Sequence, residues 1–143
     1  MIEKCIERWH EVVRGNTDVL DELLADDVVF LSPIVFTPQE GKDVTKLYLS
    51  AAFGTFGGQD RKEGGDGTMP KFRYVKEVLS GHHAILEFET EVGGKYVNGV
   101  DIITCNDAGQ ITEFKVMVRP LQAVNLMHAQ MKAMLEKMQG ATG

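Results

Sequence analysis

Long apolar runs, basic clusters, prolines and cysteines are all scarce in this chain, and each scarcity narrows what it can be. Its 143 residues include two cysteines, four prolines and one tryptophan. Cys5 and Cys105 lie far apart without metal-ligand spacing and are too few for a disulfide framework, so they read as two reduced apolar thiols. No apolar run approaches the roughly 18 residues of a membrane span, and the opening MIEKCIERWHEVV carries charges where a secretion signal needs an apolar stretch. A cytoplasmic protein without membrane contact is expected. Lys and Arg number 15 against 21 Asp and Glu, a net charge of −6, and no basic cluster is longer than Arg61-Lys62. That balance argues against a nucleic-acid partner, whose phosphates call for a basic stripe. His82 and His83 are adjacent, point to opposite faces of a strand and lack a second ligand at metal spacing, so no metal is expected.

What is present suits one domain over residues 1–143, since folding at this size buries about two thirds of the unfolded chain's surface, enough for a core and a small cavity. Ile2, Cys5, Ile6, Trp9, Val12 and Val13 recur at helical spacing opposite a charged face, and Gly15 ends that helix. Asn16-Thr17 can cap a second helix with Asp18, Asp21 and Glu22 in its first turn. Val28 to Leu31 reads as a short strand, and a third helix is expected from about 43 to 53. Residues 54 to 67 hold six of the 15 glycines and read as a mobile loop. Strands follow at about 71–79, 83–92, 95–105 and 110–119, and after Pro120 a helix of about 18 residues runs to Met138. Helices first and a meander later predict an α+β fold, with helices on one face of an antiparallel sheet.

Val92-Gly93-Gly94-Lys95 fixes the register of one hairpin, because a primed two-residue turn needs the positive φ that glycine supplies cheaply. Leu86 then opposes Asp101, Phe88 opposes Gly99 and Ala84 opposes Ile103 on one side of the sheet, while Glu87, Glu89, Tyr96 and Asn98 take the other. The next turn, Asn106 to Gly109, puts Phe114, Val116 and Val118 on the Asp101 side whether two or four residues form it. A three-residue turn with a bulge would instead pair Asp101 with Lys115 as a surface ion pair. In the first case a carboxyl sits among Leu86, Phe88, Ile103, Phe114 and Val116, and desolvation raises its pKa into the range of a general acid or base. In a purely structural role Asp101 would accept a hydrogen bond from Trp9 Nε1, Tyr48 or a backbone amide.

The Trp9 helix, the stretch Asp21 to Phe30, Gly41 ahead of a helix with Tyr48-Leu49, and Val100-Asp101-Ile102 eight residues before Gly109-Gln110-Ile111 together resemble the nuclear transport factor 2-like superfamily, especially its SnoaL-like branch. The resemblance implies a cone-shaped α+β barrel whose curved sheet and helices enclose a pocket, commonly as a homodimer. It also implies an acid at the position of Asp101 that moves a proton in ring closure. Members range from polyketide cyclases and ketosteroid isomerase to epoxide hydrolases and non-catalytic modules, so the fold alone names no reaction. The epoxide-hydrolase pattern needs an acid on the last strand, where this chain has Phe114, Val116 and Val118.

The expected function is therefore a cofactor-independent enzyme acting on a small hydrophobic carbonyl or polycyclic compound, with Asp101 as acid/base. Tyr48 and Trp9 would orient the substrate, Phe30 would join the wall, and His10 is a second titratable candidate beside Trp9. The competing expectations are a ligand-binding or protein-interaction module in which Asp101 is structural, and a dimeric scaffold with a filled core. Met127, Met131, Met134 and Met138, at spacings of four, three and four, would pack the core or a dimer, or roof a hydrophobic ligand.

Overall fold

The computed structural model of the chain describes residues 1–56 and 72–142. Helix α1 (Ile2–Val13) buries Ile2, Cys5, Ile6, Trp9, Val12 and Val13, the stripe set by its sequence spacing. A short α2 (Asp18–Leu23) leads into β1 (Leu24–Leu31) and a two-residue β2 (Gln39–Glu40). Helix α3 (Lys42–Phe56) runs past its expected end, so residues 54–56 are helical; the remainder of the segment read as a mobile loop lies outside the described residues. Then come β3 (Arg73–Ser80), β4 (His83–Val92), β5 (Lys95–Cys105), β6 (Ile111–Arg119) and α4 (Leu121–Thr142). Among the described residues no helix is long and apolar enough to cross a membrane.

The six strands form one sheet in the order β2-β1-β6-β5-β4-β3. The expectation of a wholly antiparallel sheet is corrected, because β1 runs parallel to β6, Phe30 lying beside Phe114. Consecutive strands joined by tight turns must be antiparallel. The partner of β1 is some 85 residues away along the chain, and only three-dimensional packing chooses it. The sheet is also open rather than a closed barrel, with β2 and β3 at its edges.

The β4–β5 register is the one set by the glycine turn: Val92 opposes Lys95, Leu86 opposes Asp101 and Phe88 opposes Gly99, with Gly93 and Gly94 at φ of 57° and 80°. The β5–β6 hairpin is less regular. Cys105 opposes Ile111, a pairing that continued unbroken would set Asp101 against Lys115, but an irregularity between Thr104 and Cys105 shifts the ladder by one residue. Asp101 therefore opposes Val116, and Ile103 opposes Phe114. A bulge thus keeps the acid inside.

Candidate active site

The inner face of the sheet, α1, α3 and α4 enclose a cavity with about 50 Å³ of open space. Its wall is aromatic: the Trp9 ring packs edge-on to Phe114 at 4.8 Å and lies 5.9 Å from Phe53, while Phe72 stacks on Phe88 at 5.0 Å. Of the foreseen wall, Trp9, Phe30, Phe88, Phe114 and Val116 border this space. Leu86 and Ile103 are completely buried behind it and do not reach it.

Asp101 lines the cavity at 5% exposure, with no other carboxylate, lysine, arginine or histidine beside it among the described residues. Its Oδ2 accepts a hydrogen bond of 2.5 Å from the Tyr74 hydroxyl, whose oxygen accepts one of 2.9 Å from Trp9 Nε1. Among the described residues Oδ1 has no hydrogen-bond partner. Burial pushes the Asp101 carboxyl from 3.8 up to about 7, and the Tyr74 bond pulls only partly the other way. Burial and then the Asp101 charge drive the Tyr74 phenol well above its ordinary value, so Tyr74 stays a proton donor to Asp101 at every pH of interest.

Tyr74 is the residue bonded to Asp101 that the sequence reading missed. Near its turn the β3–β4 ladder pairs Lys76 with Glu87, and continued without interruption it would set Tyr74 against Glu89 on the outer face. An extra residue between Tyr74 and Lys76 shifts the pairing, so Tyr74 opposes Phe88 and turns inward, while Val75 is left 41% exposed. The legible signal is an aromatic residue two positions after Phe72, since Phe72 and Tyr74 alternate onto one face of the bulged strand.

Tyr48, the tyrosine singled out from the sequence, does not reach Asp101. Its ring lies 5.5 Å from Phe30 on the far side of the cavity wall, in a neighbouring groove. The alternative in which Tyr48 bonds Asp101 is thereby corrected; a tyrosine does make that bond, from β3 rather than α3. Trp9 Nε1 touches the acid only through Tyr74. His10 lies outside the cavity, pairs with Glu77 at 2.5 Å and sets its ring edge-on to Tyr74 at 5.7 Å. Cys5 and Cys105, distant in sequence, are neighbours in space; burial foremost, with the second thiol adding, raises Cys5 to about 12, which makes it a poor nucleophile. Among the described residues no group of three His, Cys, Asp or Glu side chains could hold a metal ion.

An open curved sheet and helices wrapped around an apolar cavity, with one acid in its wall among the described residues, define an α+β architecture. Solved structures with that fold resemble this chain over most of its length. A steroid delta-isomerase from Pseudomonas aeruginosa is 27% identical, with 97% of this chain and 94% of that one covered and a TM-score of 0.84. An uncharacterized protein with a cystatin-like fold from Silicibacter pomeroyi is 31% identical over 90% of this chain and 83% of that one, with a TM-score of 0.76. An NTF2-like protein of unknown function from Burkholderia xenovorans, 15% identical over 87% and 91% of the two chains at a TM-score of 0.58, shares the fold. No protein-family model matches the sequence, and no curated protein does. The chain has the cystatin-like fold that NTF2-like proteins share, the architecture implied by the sequence resemblance.

Proposed function

We propose that this chain is a cofactor-independent acid/base catalyst of the isomerase type, moving a proton on a small apolar carbonyl compound. One observation carries the proposal: a single carboxyl, poised near neutrality at about 7, borders an otherwise apolar and aromatic cavity. As the carboxylate, Asp101 takes a proton from the carbon beside the carbonyl through Oδ1. The C–H electron pair moves onto the carbonyl oxygen as an enolate, and Asp101 returns the proton at another carbon. Tyr74 and Trp9 hold the carboxylate in place during both transfers. An aldol ring closure of the SnoaL-like kind would begin with the same abstraction. The likeness to a steroid delta-isomerase supports isomerisation over closure.

The test is a screen of β,γ-unsaturated ketones for double-bond migration, followed by Asp101→Asn. General acid/base catalysis contributes at least about 100-fold, so turnover should fall by that much while ligand affinity, read from Trp9 fluorescence, changes little. Turnover that survives the substitution would sink the mechanism. Binding without turnover in the unaltered protein would favour the second reading, a carrier, which the hydrogen-bonded state of Oδ2 supports. We further propose that the chain pairs with a second copy through the outer face of its sheet, where Val78, Ile85 and Met117 are 52%, 43% and 49% exposed.

A further inference from the structure

Beside the Asp101 cavity lies a second concavity, a groove of about 240 Å³ between the Ser32–Val35 turn, α3 and α4. Ile34 and Met131 belong to both walls, so these two side chains are the partition between the spaces. Neither space alone reaches the roughly 300 Å³ at which ligand sites usually begin, and merged they approach it. The partition is soft, since an unbranched thioether such as Met131 changes rotamer easily. The two spaces differ in chemistry. The inner one is aromatic with Asp101 in its wall, whereas the outer one presents the hydroxyl of Tyr48, the imidazole of His128 and the ammonium of Lys132, with Glu136 also on its border. Among the described residues the Tyr48 hydroxyl has no hydrogen-bond partner. Ser32 Oγ accepts from the amides of Ile34 and Val35 at 3.0 and 3.3 Å, which fixes the turn and leaves its own proton to give.

We infer that cavity and groove are the two ends of one ligand site, which takes an elongated apolar molecule with a carbonyl at Asp101 and a hydroxyl or carboxylate at Tyr48 and Lys132. The inner end rests on the function proposed above; the outer end rests on the groove. Tyr48 and Lys132 would donate to the far oxygen, while Glu136 sets a limit on negative charge there. Tyr48 would thus be a binding residue at the end of the ligand remote from the proton transfer.

The probes are 2-tetralone and three derivatives carrying a short alkyl chain that ends in methyl, hydroxyl or carboxylate, with dissociation constants read from quenching of Trp9, the chain's one tryptophan. One well-made hydrogen bond gives about a tenfold advantage, so the hydroxyl- or carboxylate-ended compound should bind about tenfold tighter than the methyl-ended one. Tyr48→Phe combined with Lys132→Met should erase that advantage and leave 2-tetralone binding unchanged, the unchanged value showing that the variant is folded. A carboxylate advantage that fades with salt identifies an anionic end, and equal advantages identify a neutral one. Equal binding of the methyl-ended compound, or a preference that survives the double substitution, overturns the inference. The binding readouts need no turnover: absence of the preference in the unaltered protein, or its survival in the double variant, with Asp101-dependent turnover intact rejects the outer end alone, and Asp101-independent turnover rejects the catalytic reading alone.

Discussion

Asp101 is the residue at which stability and the proposed function pull in opposite directions. It binds its proton more tightly folded than unfolded, because its value rises from 3.8 to about 7 on burial. Its contribution to stability is therefore complete below pH 4, declines as the pH climbs, and is gone above 7. There the ionised group leaves the fold roughly 4 kcal/mol worse off than an unshifted carboxyl would. Behind it stand Tyr74, which donates to it, and the His10–Glu77 pair against the Tyr74 ring. Asn at position 101 cannot titrate. Urea denaturation from pH 5 to 8 should thus show stability falling more steeply in the unaltered protein than in Asp101→Asn, and parallel profiles would mean that the acid is not desolvated.

At the scale of elements, the site is made by irregularities in otherwise regular hairpins. The bulge in β3 delivers Tyr74, the one at Thr112 near the start of β6 keeps Asp101 inward, and Gly99 lets the Phe88 ring lie flat on β5. A Cβ at Gly99 would stand 2.5 Å from Phe88 Cζ and 2.6 Å from the Met117 carbonyl oxygen. The ring could turn away into the cavity, but the backbone oxygen of β6 could not. Gly99→Ala should therefore cost about 1–3 kcal/mol, as overpacking does, and weaken ligand binding through the displaced Phe88. Chemical denaturation and Trp9 quenching measure the two effects, and an unperturbed variant would show that the ring has room elsewhere. The helices and strands that carry these features were legible in the sequence because each follows from local periodicity: the α1 stripe, the Gly93-Gly94 turn, the alternation along β4. The bulge that reorients Tyr74 was not, since a one-residue slip leaves no mark in composition and is chosen by what it lets each side chain bury.

For the molecule as a whole, the exposed apolar residues Val78, Ile85 and Met117 on the otherwise charged outer face of the sheet predict self-association. Sedimentation should give about twice the chain mass of 15.8 kDa, and Met117→Lys should return it to a single chain. A monomer at every concentration would reject the dimer. The sequence by itself determined the α+β class, the β4–β5 register and the presence of a lone acid on the apolar face, because turns and alternating patterns act between near neighbours along the chain. Tertiary structure alone decided that β1 lies parallel to β6, that Tyr74 rather than Tyr48 bonds Asp101, and that Tyr48 faces a separate groove. Those outcomes depend on which distant surfaces can be buried together, and that is a property of the packed whole rather than of any segment.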